Sequence, residues 1–337
     1  MKSDFENALR KCVEQYIGQG IFDGAVILTG NADEDTFCAA IGTADRVSGR
    51  PMARDTVFDV SSVTKPVATA TCALLLAEEG RLDLNTSFTE YLPEFNGRLI
   101  EPISVRAMAT HYSGLKQDYP RGVPADELLN HILQSSAVQP PWTEYNYSCA
   151  CYDMLGMIIE KISGKPLAEF AKERLFLPLG MNDSSWGYPL KSQVGRLFVH
   201  NRCVNSDHRV VFDMWARVFQ PRAIGNAGLF TTATDLAIYS RMILNRGRGL
   251  FKTNIVEEEM LRNFAPLGKT PRSFGWNLDS RFRPAGFSNK FIYHSGSSGQ
   301  SLWIDYGRGC FIIILTNLFG EHDAGIQARL QIANLFP

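Results

Sequence analysis

The stretch Asp55-Thr56-Val57-Phe58-Asp59-Val60-Ser61-Ser62-Val63-Thr64-Lys65-Pro66 leads into an apolar run, Val67 to Ala77. Thr56 to Val60 reads as a short extended segment, and the run after Pro66 has helical length and composition. Proline lacks an N–H and is tolerated only in a helix's first turn, so this helix starts within about three residues before Pro66. Ser61 and Ser62 then stand at or beside its N-cap. Lys65 follows Ser62 by three residues, within side-chain reach across one turn. A serine hydroxyl is a weak nucleophile until a base removes its proton. A lysine is that base when neutral, and burial at a helix N-terminus favours the neutral amine. Ser62 and Lys65 are therefore the candidate nucleophile and its proton-handling partner.

Working outward, Phe5, Leu9, Cys12, Val13, Tyr16 and Ile17 recur at helical spacing over residues 4–18. Residues 24–29 and 36–42 read as strands joined by the polar turn Gly30-Asn31-Ala32-Asp33. From Leu82 to about Leu261 the pattern is mostly helical, as at 103–111, 125–134, 149–162, 166–174 and 233–245. Residues 301–306 and 310–316 form a hairpin across Gly307-Arg308-Gly309, and a helix over 321–335 follows. Strands at both ends of a helical middle predict an α/β (α+β) fold, with one antiparallel sheet built from both termini and flanked by helices. The expected division is a sheet subdomain of 1–60 and 270–337, an inserted mostly helical subdomain of 61–269, and an active site in the cleft between them.

The 337 residues carry 34 Lys and Arg against 35 Asp and Glu. That balance offers no basic surface for nucleic acid or anionic membrane. The apolar stretches are too short to span a bilayer. The opening Met1-Lys2-Ser3-Asp4-Phe5-Glu6 has no secretory pattern, so a cytoplasmic location is expected. Seven cysteines (12, 38, 72, 149, 151, 203 and 310) are odd in number and scattered, which fits reduced thiols. Cys149 and Cys151 form a C-x-C pair with no second pair at zinc-ligand spacing, so no metal is expected. Phosphate-loop, dinucleotide, nucleophile-elbow and H-E-x-x-H motifs are absent, and no cofactor is implied. A second Ser-x-x-Lys occurs at Ser113-Gly114-Leu115-Lys116; Gly114 directly after the serine marks a turn rather than a helix start.

The segment from Asp55 to Pro66 resembles the nucleophile segment of the serine β-lactamase and penicillin-binding-protein-like family, in the branch of class C β-lactamases and their esterase relatives. Further segments resemble it in order: Leu76 to Leu84, His111-Tyr112-Ser113-Gly114-Leu115, Pro178-Leu179-Gly180-Met181, Gly228 to Leu236, and His294-Ser295-Gly296 with Gly299 and Trp303-Ile304-Asp305. Several motifs in order are far more specific than any one. The resemblance implies a β-lactamase/transpeptidase-like fold and a serine hydrolase working through an acyl-enzyme intermediate. Tyr147, in Tyr147-Ser148-Cys149, aligns with the family's Y-x-N motif and would share the proton relay with Lys65. The backbone N–H groups of Ser62 and Ser297 would form the oxyanion hole. Cys149, His294, Ser295 and Gly296 would line the substrate site.

Two departures shape the expected substrate. Cys149 stands where the family usually has Asn, and a thiol is a poor hydrogen-bonding substitute for an amide. His294 stands where many members have a lysine that holds a carboxylate; a histidine is only partly charged near neutral pH. Both point towards a small ester or amide taken by a carboxylesterase-type acyl hydrolase. A β-lactamase, D-alanyl-D-alanine carboxypeptidase or D-aminopeptidase is the alternative enzyme, and a non-catalytic ligand-binding descendant the alternative of another class. Trp142 and the Phe212–Phe219 segment with Trp215 are candidate wall aromatics.

Overall fold

The computed structural model describes residues 2–95, 102–115, 120, 122–198, 210–317 and 322–336. Lys116 and Cys203 lie outside these residues. The chain opens with helix α1 (Lys2–Gly18) and strands β1 (Gly24–Asn31), β2 (Asp35–Asp45), β3 (Arg50–Pro51) and β4 (Phe58–Asp59). Helices α2 (Thr71–Glu78), α3 (Val105–Ala109), α4 (Ala125–Leu133), α5 (Cys149–Ser163), α6 (Leu167–Ala171) and α7 (Leu177–Leu179) follow. Then come β5 (Ser185–Trp186), α8 (Met214–Phe219), β6 (Leu229–Thr231) and α9 (Ala233–Leu244). The chain returns to strands β7 (Phe291–Gly296), β8 (Gln300–Asp305) and β9 (Cys310–Thr316) before α10 (His322–Ala333).

The main sheet has the order β3-β2-β1-β9-β8-β7, and all its pairings are antiparallel. Its central ladder sets Ala25 opposite Thr316 and Asn31 opposite Cys310, joining the two ends of the sequence. The predicted α+β architecture is the observed one.

Strand side chains alternate between faces, and here both faces are buried. Val26, Leu28, Ile292, Leu302, Ile304, Phe311, Ile313 and Leu315 enter the core shared with α2, α5 and α9. Ala25, Ile27, Phe291, Tyr293, Trp303, Ile312 and Ile314 pack instead under α1 and α10, against Leu9, Val13, Ile332 and Ala333. A small sheet of order β4-β6-β5 sits beside the nucleophile segment and pairs Phe58 with Thr231. Among the described residues no helix is long and apolar enough to cross a membrane.

Candidate active site

The helix expected at Pro66 starts in tighter form than predicted. A 3₁₀ turn, Ser61–Val63, is followed by a π-helical stretch, Lys65–Ala70, that runs directly into α2. Pro66 lies in the first turn of that stretch, as its missing N–H requires. Ser61 stands directly beside the cap position, as expected. The residue in cap position is Val60, and no side chain caps the turn. The Ser62 hydroxyl is therefore not spent on a backbone amide and accepts a hydrogen bond from Lys65 Nζ at 3.1 Å.

Ser61 carries the cost of this sharp entry. Its φ is 44°, in the left-handed region a serine rarely adopts. Buried partners hold it there. Asp59 Oδ1 accepts from the Ser61 N–H at 2.9 Å, and Asp59 Oδ2 accepts from the Phe212 N–H at 2.6 Å. Ser61 Oγ lies 2.7 Å from Ser298 Oγ, and Ser298 donates to the Asp59 carbonyl at 2.9 Å. Burial pushes the Asp59 carboxyl up to about 6, against the pull of its bonds to Phe212 and Ser61.

These contacts also dock the end of β7 onto the turn. An ideal Cβ at Gly296 would sit 2.4 Å from the Val60 carbonyl oxygen, so only glycine lets the two backbones approach this closely. Ser297, itself exposed, follows in the turn into β8, next to the segment that carries Ser62.

Lys65 is fully buried and spends its donors on identified partners. Besides Ser62, Nζ donates to the Asn226 main-chain carbonyl at 2.9 Å. The Tyr147 ring stands beside it, its centroid 5.0 Å from Nζ, with the phenol facing Lys65 and Ser62. Ser62 and Lys65 thus lie one turn apart and in contact, with Tyr147, the residue the resemblance pointed to, beside them. The charge state is the reverse of the prediction. Burial, the largest single influence, pulls the Lys65 amine down, but Cys149, Tyr147 and Asp213 together outweigh it and the net shift is upward. The amine is held as an ammonium. Tyr147 is also shifted upward, chiefly by burial, while Lys65 pulls the other way, so its resting form is the phenol.

Two imidazoles flank the pair. His294, on β7, is pushed down to about 3 by burial, with Lys65 and Arg272 adding to the effect. It is neutral near pH 7, not partly charged as its type suggests. Its Nδ1 lies 2.9 Å from the Ser295 carbonyl, which can only accept, so Nδ1 carries the proton and Nε2 is left as an acceptor. His111 is likewise held well below its usual range, burial first. Its ring centroid lies 4.5 Å from that of Tyr147 with the planes tilted by 34°, its Nδ1 accepts from the Ser148 N–H at 3.2 Å, and its buried Nε2 has no protein partner.

Cys149 opens α5 one residue after the N-cap Ser148. It is buried, and burial raises its thiol. The Asn226 side chain hydrogen-bonds to it. Ser295 is half-buried beside His294 and lines, with Tyr145, Tyr147, Arg272 and Tyr293, a pocket of about 380 Å³. Ser113, in the second Ser-x-x-Lys, is fully buried, bonds the Leu115 N–H at 3.1 Å, and lies 3.1 Å from Cys151 Sγ; it is a turn residue. Trp142 stacks on Tyr112 with ring centroids 5.9 Å apart.

Sequence reading singled out neither Asn226, Asp213, Asp59 nor Arg272. Asn226 sits among glycine and alanine and reads as loop. His111 stood within a quoted motif, but nothing in its spacing shows that it lies against Tyr147.

The family model described as Beta-lactamase matches residues 9–335. Esterase EstB of Burkholderia gladioli is 28% identical, over 92% of this chain and 89% of its own length. The N-acetylmuramyl-L-alanine amidase of Bacillus subtilis (strain 168) is 27% identical, over 92% of this chain and 80% of its own. Among solved structures, EstCE1, a hydrolase with promiscuous acyltransferase activity, superposes with a TM-score of 0.80 at 21% identity, covering 99% of this chain and 98% of that one. A class C beta-lactamase gives 0.80 at 19% identity, covering 99% and 95%.

Proposed function

This chain belongs to the beta-lactamase family of serine hydrolases, and on that premise we propose that it is a carboxylesterase-type acyl hydrolase whose nucleophile is Ser62. The observation that carries the reading is the convergence of Lys65 Nζ and the Tyr147 hydroxyl on Ser62 Oγ.

In the proposed reaction Ser62 Oγ attacks the ester carbonyl carbon. Its proton passes to the Tyr147 oxygen, with Lys65 as the fixed cation that stabilises the phenolate. The N–H groups of Ser62 and Ser297 receive the developing oxyanion. Tyr147 then returns the proton to the departing alkoxide, and water repeats the sequence to release the acid. Because both Lys65 and Tyr147 are shifted upward, the base form is reached by losing one proton from the pair as a unit. The neutral His294 supplies no charge for a carboxylate, and the buried Cys149 thiol supplies no amide for an acyl-amide group. Both favour a small ester over a β-lactam.

The test is hydrolysis of short-chain activated esters, with mass spectrometry after a fluorophosphonate probe. An adduct on Ser62 and loss of turnover in Ser62→Ala by at least about a thousandfold are expected. Undiminished turnover in Ser62→Ala would end the reading. Rapid cleavage of a chromogenic cephalosporin would move the substrate assignment to β-lactams.

A further inference from the structure

A thiol is a weak acceptor for an ammonium, so Cys149 holds Lys65 poorly from the α5 side. Apart from Ser62, the hydrogen-bond acceptor of the lysine is a single loop residue, Asn226, which is fully buried. Its main-chain carbonyl accepts from Lys65 Nζ at 2.9 Å. Its own N–H donates to Asp153 Oδ1 at 2.9 Å, one helical turn beyond Cys149 on α5. Its side-chain Nδ2 donates to Asp213 Oδ1 at 3.2 Å, and the side chain also bonds Cys149. Asp213 is itself anchored, accepting from the Trp215 and Ala216 N–H groups at the start of α8.

We propose that Asn226 is a positioning residue: its side-chain amide, tied to Asp213 and Cys149, locks the main-chain carbonyl that keeps the Lys65 amine beside Ser62. This rests on the reading of Ser62 and Lys65 as the reacting pair. The carbonyl alone does not suffice, because a loop free to rotate at residue 226 carries the acceptor away with it. The amide is what fixes that rotation. The titratable groups facing Lys65 are Tyr145, Tyr147, Tyr152, Cys149, His111, His294 and Asp213. Asp213 is the carboxyl among them, so the Asn226–Asp213 bond also fixes where that side chain lies relative to the amine.

The experiment is a double-mutant cycle of Asn226→Ala and Cys149→Asn, read as kcat, KM and the pH profile of ester hydrolysis and as the rate of fluorophosphonate labelling of Ser62. Asn226→Ala is expected to lower kcat about tenfold, the scale of one hydrogen bond to a charged group, with KM little changed. Its alkaline limb should move to lower pH, because the ammonium loses its acceptor. In the Cys149→Asn background, where an amide reaches Lys65 from α5, the same Ala replacement should cost only about twofold. Asn226→Ser, which keeps a hydrogen-bonding group towards Asp213, should recover part of the loss. The proposal is overturned if Asn226→Ala lowers only the unfolding temperature, leaving kcat and the limb in place, or if the two replacements multiply independently. Should Asn226→Ala not fold, Asp213→Ser keeps a capping hydroxyl and withdraws the oxygen that the Asn226 amide bonds; its kcat must then fall and its alkaline limb shift to lower pH, and an unmoved limb is equally fatal. Failure of wild-type Ser62 to label sinks the catalytic reading instead, so the two failures are distinct.

Discussion

The two sides of Lys65 are built differently. Behind it, the Asn226 main chain bonds Lys65 Nζ and Asp153 and its Nδ2 bonds Asp213, while Asn226 Oδ1 is buried without a partner. In front, towards the cleft, stand two uncharged imidazoles, the Tyr147 phenol, and polar atoms without protein partners, His111 Nε2 and Arg272 Nε. One side fixes a charge and the other leaves bonding capacity for a ligand. In the proposed mechanism the contrast confines proton transfer to the edge between Ser62 and Tyr147, since both imidazoles are held neutral. Lys65 remains charged inside a core that disfavours charge because Cys149, Tyr147 and Asp213 together offset burial, so the compensation comes from both sides.

The largest expected break of this contrast is Lys65→Met, which removes the cation both sides are arranged around. Ester hydrolysis should fall by about a thousandfold or more, the scale of a lost acid–base relay, in a protein that still folds by circular dichroism. A loss of under tenfold would assign the proton transfer to another group. Next, Gly296→Val drives a side chain into the Val60 carbonyl and forces β7 off the nucleophile turn. Activity should drop about a hundredfold, with an unfolding cost of ~1–3 kcal/mol. Retention of activity with only the stability loss would show that this close approach is structural.

The pH profile sharpens the contrast without mutation. Since Lys65 and Tyr147 are both shifted upward, kcat/KM should climb on the alkaline side as the pair loses its first proton. His294, pushed down to about 3, stays neutral across the working range and contributes no limb near its ordinary value of 6.5. A limb near pH 6.5 that vanishes in His294→Gln would refute the neutral assignment. In the absence of such a limb, His294→Gln is expected to have the smallest effect, under about tenfold on kcat, because an amide can replace both roles of a neutral imidazole.

Much of this arrangement was legible in the residues. Pro66 dated the helix start, Ser62 and Lys65 lay one turn apart, and short apolar runs at 24–29, 301–306 and 310–316, set off by turn residues, announced a sheet drawn from both ends. The strand β7 was less visible. Phe291-Ile292-Tyr293 is buried on both faces, so no polar alternation marks it, and its last residues are the polar His294-Ser295-Gly296. The short strands β5 and β6, of two and three residues, fall below any periodic signal. The charge on Lys65 could not be read locally at all. Helix position argued for a neutral amine, while its carbonyl acceptor lies 161 residues further along the chain. Ser62 likewise looked like a cap because serine often is one; the tight 3₁₀ entry, enforced by Asp59, freed its hydroxyl. Such states depend on which distant groups the fold brings into reach.

The pairing of Gly24–Asn31 with Cys310–Thr316 has a consequence for biosynthesis. One edge of an early-emerging strand can find its hairpin mate Asp35–Asp45 at once, while the other waits until almost everything downstream has been translated. Throughout that interval a flat apolar ribbon is open to illegitimate partners, a hazard for nascent chains. Contacts this remote in sequence also make final closure of the barrier-crossing step slow. Truncations that stop short of Cys310 should therefore be recovered as aggregates, even though they retain every residue proposed to carry the chemistry.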